Sequence, residues 1–177
     1  MSDRVKELVT LAKEGSADAF GELYELYYKE MYCYACYVTG SEILAQDAVS
    51  DAVLSAFKQI KSLKNEKAFK GWLFKILCAA CKRYYTENQK KKSLSYLDDD
   101  EANFTEPASL DNMELSVELK SALATLSEEE REIVVLSVLG NYRSHELADI
   151  LDIPPSTVRS KLKRSLAKLK TALGGES

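Results

Sequence analysis

The sequence predicts an all-α protein: two small helical domains joined by a flexible acidic linker, the C-terminal one containing a helix-turn-helix. Three observations support this fold class. Apolar residues recur at steps of three and four in both halves of the chain, which is the period of a helix with one buried face. Only 7 glycines and 3 prolines occur among 177 residues, which suits helices joined by short turns. A strip of like charge separates the two patterned parts, so we divide the chain into residues 1–92, 93–110 and 111–177.

The first domain is predicted to contain four helices. The first helix covers residues 2–14, the second begins after Ser16 and reaches about residue 39, the third begins after Ser41, and the fourth begins near Asn65. The stripe of the second helix consists of Phe20, Leu23, Tyr24, Tyr27, Met31, Ala35 and Val38. We expect the tyrosines outside that stripe, Tyr28, Tyr32 and Tyr37, to lie at the surface or in a protein interface.

Charge is strongly segregated, although the formal net charge of the whole chain is only -4. Residues 58–92 carry 11 basic and 2 acidic side chains, and residues 153–177 carry 6 basic and 1 acidic. Between them, residues 93–118 carry 8 acidic side chains and no basic one. Two basic blocks indicate a polyanion that touches the protein at two places. The alternative is a solvated helix face together with a lysine-rich loop.

The second domain opens with two capping-box patterns. Asp111 and Glu114 form the first, with Leu110 and Leu115 placed as a hydrophobic staple, and Ser127 with Glu130 forms the second. The helix after the second box carries apolar residues up to Leu139 and ends at Gly140. We expect Ser144 to cap a short third helix.

The end of the chain has the layout of a helix-turn-helix. The short helix is followed by the turn Asp152-Ile153-Pro154, and Pro155 suits the first turn of a final helix that reaches about residue 173. Its expected buried stripe is Val158, Leu162, Leu166, Leu169 and Leu173, and its other sides are basic. The start of such a helix enters the DNA major groove, where arginine can bind guanine through two hydrogen bonds. An ordinary amphipathic helix with a basic surface is the alternative.

Several classes of protein are disfavoured by the sequence. The chain has one histidine, no glycine-rich phosphate loop and no arrangement typical of a hydrolase, so we predict neither an enzyme nor a cofactor. No apolar run approaches the ~18 residues that a membrane helix needs, and the first residues lack the apolar core of a signal peptide. We therefore expect a cytoplasmic protein with reduced cysteines and no membrane insertion.

Four cysteines form two pairs that could bind zinc or sense redox conditions. Cys33 and Cys36 lie in the second helix, and Cys78 and Cys81 lie in the fourth. On helical wheels both pairs point away from the apolar stripes, so they are not expected to converge on one ion. We predict no metal site and keep these four residues as its only candidates.

Three stretches resemble the extracytoplasmic-function (ECF) group of RNA polymerase sigma factors. Residues 144–166, SHELADILDIPPSTVRSKLKRSL, resemble the C-terminal domain of that family. Residues 45–57, AQDAVSDAVLSAF, and residues 69–76, FKGWLFKI, resemble its N-terminal domain. The three stretches stand in the family's order, with a linker where the family has one, and the resemblance covers nearly the whole chain.

This resemblance implies a protein that binds core RNA polymerase and directs it to particular promoters. The candidate contacts to the upstream promoter box are Arg143, Ser144, Ser156, Thr157, Arg159, Ser160, Lys163 and Arg164. Those to the downstream box are Lys64, Asn65, Lys70, Lys75, Lys82 and Arg83. The candidate polymerase contacts, on the third helix, are Asp47, Ser50, Asp51, Leu54 and Phe57.

The family also implies an anti-sigma factor as a partner and a monomer when the protein is free. One departure from its pattern concerns the downstream box: Ala79 stands where the family usually has asparagine, and alanine cannot hydrogen-bond to a base. Two alternative functions stay open. One is a helix-turn-helix regulator that binds duplex DNA alone as a dimer, and the other is a helical module that binds an acidic protein.

Overall fold

The computed structural model describes residues 3–94 and 117–174, and that part of the chain contains α-helices and 3₁₀ turns but no strand. The predicted all-α class is therefore confirmed. Single 3₁₀ turns, Ile60–Ser62 and Glu66–Ala68, connect the third and fourth helices. The helices are α1 (Asp3–Glu14), α2 (Ala17–Thr39), α3 (Glu42–Gln59), α4 (Phe69–Leu94), α5 (Val117–Ala124), α6 (Glu128–Leu139), α7 (Ser144–Leu151) and α8 (Pro155–Ala172).

Helix ends lie where the polar capping residues place them. The Ser16 hydroxyl accepts a hydrogen bond from the backbone N–H of Ala19 at 3.2 Å, and Gly40, at a φ of 68°, ends α2 in the left-handed conformation. The predicted capping box of α6 is confirmed: the Ser127 hydroxyl accepts from the backbone N–H of Glu130 at 3.3 Å, and the Glu130 carboxylate accepts from the backbone N–H of Ser127 at 3.0 Å. The predicted box at Asp111 and Glu114, with its staple Leu110 and Leu115, lies outside the described residues.

One predicted cap is wrong. Ser144 is the first residue of α7 and not its cap, because Arg143 has the extended backbone of an N-cap residue. Glu146 completes the end of the helix, since its carboxylate accepts from the backbone N–H of Arg143 at 2.7 Å. Glu146, the third residue of the helix, therefore satisfies the backbone N–H of the cap residue Arg143.

The N-terminal bundle, α1 to α4, has its core around α2. The predicted stripe of α2 lies inward, with Leu23, Met31 and Ala35 fully buried. Tyr28 is 38% exposed, as expected, but Tyr32 and Tyr37 are buried, so the surface position predicted for those two is wrong. Every residue from 31 to 39 is buried, because helices of the bundle and α6 of the C-terminal domain both pack against α2.

All four cysteines are buried thiols, which corrects the outward orientation predicted for them. Burial raises the pKa of the Cys36 thiol to about 12, and it also raises the pKa of Cys33, Cys78 and Cys81. Thiols with raised pKa values are protonated at neutral pH and are poor metal ligands. Across the described ranges, no three His, Cys, Asp or Glu side chains come together in a way that could hold a metal ion.

The C-terminal domain packs α6, α7 and α8 around Ile133, Leu136, Leu147 and Val158. The stripe predicted for α8 is confirmed in part, since Val158 and Leu169 are buried and Leu162 is partly buried. Leu166 and Leu173 are instead 45% and 48% exposed. Helix α8 has 18 residues, whereas α6 has 12 and α7 has 8, so the shorter helices cover only part of its length.

The two domains are in contact, which the sequence did not predict. Helix α6 packs on α2 and α7 packs on α4. The ring of Phe74 in α4 lies 5.7 Å from the ring of Tyr142, measured between centroids. Lys70 forms an ion pair with Glu30 at 2.8 Å within the bundle and also donates to the carbonyl of Gly140 at 3.3 Å in the C-terminal domain. The contact therefore combines buried rings with polar bonds that join the domains.

Candidate nucleic-acid interface

The turn between α7 and α8 has the geometry of a helix-turn-helix. Asp152 ends α7 in the left-handed conformation, at a φ of 58°, and Pro155 is the first residue of α8. The backbone N–H of Ile153 donates to the carbonyl of Ala148 at 3.2 Å, which satisfies a carbonyl that the end of α7 would otherwise leave free. The residues at the start of α8, Pro155 and Ser156, are exposed.

The beginning of α8 presents the side chains predicted to reach the upstream box. Ser156, Arg159, Ser160, Lys163 and Arg164 are exposed, and Thr157 is half-buried. Helix α7 begins beside them, with Arg143 exposed and Ser144 half-buried. The first turn of α8 contains no acidic residue, so its N-terminal end and its cations both attract phosphate.

Two lysines of α8 form ion pairs within the C-terminal domain. Lys161 forms an ion pair with Glu129, and Lys168 forms one with Glu130 at 2.7 Å. Both acids belong to the first turn of α6, so these ion pairs fix α8 against α6. The cations of the predicted upstream set are a different group, and they are exposed: Arg159, Lys163 and Arg164 on α8, and Arg143 before α7.

The predicted downstream-box residues fall into two groups. Lys64, Asn65, Lys70 and Lys75 share a cleft of about 670 Å³ between the domains. Asn65 also has a local role, because its side-chain oxygen accepts from the backbone N–H of Lys67 at 3.0 Å. Lys67 was not singled out from the sequence, although it belongs to the basic block that we identified. The other residues lining this cleft are Tyr27, Leu63, Lys67, Ala68, Gly71, Trp72, Tyr142, His145, Glu146, Asp149 and Ile150.

Lys82 and Arg83 lie further along α4 and outside this cleft. Lys82 lines a separate cleft of about 430 Å³, which also contains Glu128, Glu129 and Glu132 of α6. The guanidinium of Arg83 forms a 2.6 Å ion pair with Asp51 of α3. The structure therefore brings four of the six predicted residues together and separates these two from them.

Three of the five candidate polymerase contacts lie along an apolar groove between α2 and α3. Ser50, Leu54 and Phe57 line it, and its volume is about 330 Å³. Leu54 is 52% exposed and Phe57 is 42% exposed, so this groove offers apolar surface to a partner. The sequence analysis missed the residues that complete the groove, although most of them belong to segments whose pattern it described: Ala17, Phe20, Gly21, Tyr24 and Val53.

Asp47 and Asp51 differ in their surroundings. Asp47 is exposed, whereas Asp51 is half-buried and accepts a hydrogen bond from the Tyr84 hydroxyl at 2.7 Å in addition to its pair with Arg83. This hydrogen bond raises the pKa of Tyr84. Asp51 therefore joins α3 to α4, and its carboxylate is already paired within the bundle.

Two family models match the chain in the order of its two domains. The model described as Sigma-70 region 2 matches residues 23–91, and the model described as Sigma-70, region 4 matches residues 116–169. The first match covers most of the bundle, and the second covers the helix-turn-helix. In the described residues, no helix has the length and hydropathy needed to cross a membrane.

Similar proteins extend over nearly the whole chain. The ECF RNA polymerase sigma factor SigW of Bacillus subtilis is 25% identical, and the alignment covers 98% of each chain. The ECF RNA polymerase sigma-E factor of Escherichia coli is 29% identical over 93% of this chain and 91% of its own.

Two solved structures share the fold at 21% identity. CnrH, in complex with the cytosolic domain of CnrY, gives a TM-score of 0.73 and covers 99% of this chain and 100% of its own. The sigma factor RpoE of Bartonella quintana, in complex with the anti-sigma factor NepR, gives 0.74 and covers 89% and 98%. Family models, relatives and fold agree, and the chain belongs to the ECF group of sigma-70-type RNA polymerase sigma factors.

Proposed function

We propose that this chain binds core RNA polymerase and directs it to a specific class of promoters, without catalysing a reaction itself. The observation that carries this proposal is the order of the sites: a region 2 bundle with a basic cleft and an apolar groove precedes a region 4 helix-turn-helix with an exposed basic end. A factor with two DNA-binding sites can read two promoter boxes, while the polymerase supplies the chemistry.

The upstream box would be read by the N-terminal end of α8 in the major groove. Arg159 is exposed near the start of this helix, where a guanidinium can bind guanine through two hydrogen bonds. Lys163 and Arg164 are exposed about one turn further on, and their charges would contact phosphates. Arg143 and Ser144, at the start of α7, would add contacts to the backbone of the DNA.

The downstream box would be bound by the bundle's wall of the interdomain cleft, which carries Lys64, Asn65, Lys70 and Lys75, once the C-terminal domain has moved away from it. Their ammonium groups would neutralise phosphates, and the partly exposed ring of Trp72 lies in the same cleft, where a separated base can stack. Lys82 and Arg83 would extend this surface along α4. Ala79 is exposed on that helix but offers no hydrogen bond, so base reading would depend on the segment around Asn65.

The polymerase would dock on the groove between α2 and α3. Leu54 and Phe57 supply exposed apolar surface, Ser50 supplies a hydroxyl in the lining, and Asp47 is exposed on the same helix. A mixed apolar and polar surface of this kind is typical of a protein interface. Asp51 would contribute mainly by fixing α3 against α4.

The domain limits that we propose are residues 1–92 for the bundle, 93–110 for the linker and 111–177 for the helix-turn-helix domain. We place the protein in the cytoplasm with the polymerase and expect a monomer when it is free. The RpoE protein of Bartonella quintana is bound by an anti-sigma factor, and by analogy we propose that a similar inhibitor sequesters this chain.

Transcription with purified components tests this function. The full chain would be mixed with core polymerase and a library of promoter sequences, and we expect RNA chains that begin at a defined subset of them. A protein that binds palindromic duplex DNA as a dimer, without polymerase, would support the stand-alone regulator instead. Absence of binding to both DNA and polymerase would favour the protein-binding module.

A further inference from the structure

Glu132 is an acidic side chain enclosed where the two domains meet. It lies on α6, which packs on α2, and it is only 8% exposed. Tyr34 of α2 is 1% exposed, and its hydroxyl donates a long hydrogen bond of 3.4 Å to one carboxylate oxygen of Glu132. Burying a carboxylate with one weak hydrogen bond is costly unless it is protonated or paired. Closing the domains therefore places an ionisable group in an unfavourable setting.

The neighbours of Glu132 do not compensate for its charge. From α4, the ammonium of Lys82 lines the same small cleft, and the buried thiols of Cys78 and Cys81 lie close by. From α6 itself, Glu128 and Glu129 add two negative charges. Glu129 is paired with Lys161 of α8, whereas one carboxylate oxygen of Glu128 is buried without a hydrogen-bond partner. The cleft is thus lined by three glutamates and Lys82, and the other nearby lysine, Lys161, is paired with Glu129.

Burial, followed by repulsion from Glu128, raises the pKa of Glu132 to about 7. Lys82 and the Tyr34 hydroxyl act in the opposite direction but do not cancel these effects. When the domains separate, the carboxyl group of Glu132 is exposed to water and its pKa returns to the ordinary value of a glutamate. A pKa that is higher in the closed form means that closing takes up a proton, so closing is favoured in acid and loses that support as pH rises through about 7.

We propose that protonation of Glu132 closes the helix-turn-helix domain onto the bundle, and that its ionisation favours separation of the two. The regulatory consequence rests on the proposed function. In the closed form, Lys70 is bonded to the carbonyl of Gly140, and Lys75 donates to the carbonyl of Asp149 at 3.2 Å. Ammonium groups held against the C-terminal domain cannot reach DNA phosphates, so acidification reduces the fraction of the protein that is ready to bind a promoter.

Small-angle X-ray scattering of the full chain, free in solution, tests the proposal from about pH 5.5 to 8.5. We expect the radius of gyration of the wild-type protein to increase as pH rises through about 7. Glu132→Gln keeps the shape of the side chain without its charge, and this variant should stay compact at every pH. The closing constant of the wild type should fall roughly thirty-fold between pH 5.5 and 8.

Three further variants make the outcome decisive. Glu129→Gln removes the same charge from the same helix at a residue paired with Lys161, and His145→Gln removes the imidazole from the other interdomain cleft. Glu129→Gln should weaken the pH response without abolishing it, because the charge of Glu129 helps to raise the pKa of Glu132, and His145→Gln should keep the wild-type response. Lys70→Ala weakens the contact and brings the equilibrium into a measurable range if the wild type stays closed throughout. Circular dichroism at each pH checks that the helices remain folded.

A radius of gyration that is independent of pH in both the wild type and Lys70→Ala would overturn the proposal. An unchanged pH response in Glu132→Gln would overturn it equally. The scattering uses neither DNA nor polymerase, so its result does not depend on the transcription test of the proposed function. If the chain opens with pH but does not start promoter-specific transcription with core polymerase, the pH-dependent closing stands and the proposed function is contradicted.

Discussion

Gly140 occupies a position where a single methyl group has no room. A Cβ atom built there would lie 2.3 Å from the Tyr142 ring and 2.8 Å from the carbonyl oxygen of Leu136. The backbone at Gly140 is ordinary, with a φ of -83°, so the restriction is steric and does not come from the conformation. Tyr142 in turn contacts Phe74 and lies under the ammonium of Lys70, at 4.9 Å.

We expect Gly140→Ala to lower the free energy of unfolding by about 1–3 kcal/mol, because the Tyr142 ring must move out of a packed contact. Urea denaturation measures the change. Gly21→Ala is the matched control, since Gly21 lies within α2 with no atom within 4 Å of the added Cβ. That control should stabilise the protein by about 0.5–1 kcal/mol. Equal effects of the two substitutions would contradict the steric account.

Arg159 is the exposed arginine closest to the start of α8. If it binds a guanine, Arg159→Ala should weaken binding to the upstream box by about 1–3 kcal/mol and relax the preference at one base pair. Binding would be measured against all single-base variants of the site at fixed salt. Lys170→Ala, an exposed cation near the other end of α8, is the control and should leave the base preferences intact. A loss that is uniform over all sequences would make Arg159 a phosphate contact.

Helix α6 depends on its first turn for two separate purposes. Its capping box satisfies backbone donors through Ser127 and Glu130, and its acids hold α8 through Lys161 and Lys168. Glu130 takes part in both, and the hydrogen bond from Lys168 and those from Ser127 lower its pKa.

We expect Ser127→Ala to destabilise the protein by about 1 kcal/mol, since the cap hydroxyl satisfies the N–H of Glu130. Thermal unfolding of the full chain measures this loss. Ser160→Ala provides the comparison, because the Ser160 hydroxyl only donates to the Thr157 carbonyl within a formed helix. If Ser160→Ala costs as much stability as Ser127→Ala, the cap is not what stabilises α6.

Helix α3 carries the test of polymerase docking. Leu54→Asp places a charge in the apolar groove and should weaken the affinity for core polymerase roughly tenfold or more. Ile43→Asp is the control, because Ile43 is 73% exposed on the same helix but does not line the groove. Affinity would be measured by fluorescence anisotropy of labelled protein, with unfolding temperatures compared. Similar affinities for the two variants would exclude the groove as the docking surface.

At the scale of the whole molecule, the sequence predicted features that depend on neighbouring residues better than contacts between distant parts of the chain. Ser16 and Gly40 fixed the limits of α2 because capping depends on neighbours in the chain. The turn before Pro155 and the cations after it likewise identified the helix-turn-helix. Tyr32, however, was misplaced, because a helical stripe assumes one covered face and α2 is covered from several sides near its end.

The interdomain cleft could not be predicted from the sequence. Its walls come from segments about seventy residues apart, and no local pattern joins Lys70 to Tyr142 or Lys75 to Asp149. The same limit explains why the lysines of the basic block were identified as a group but not divided between two clefts. Their positions depend on how the second domain packs, which is a property of the complete fold.

The enclosed thiols of Cys33, Cys36, Cys78 and Cys81 allow transient opening of the native structure to be followed by alkylation. An alkylating reagent reacts with a thiolate that it can reach, and these sulfurs are both protonated and shielded in the native state. Under conditions that keep the protein folded, each alkylation event therefore reports a transient opening of the hydrophobic core. Mass spectrometry of the alkylated chain would give the rate of opening at each cysteine, with no label added to the protein beforehand.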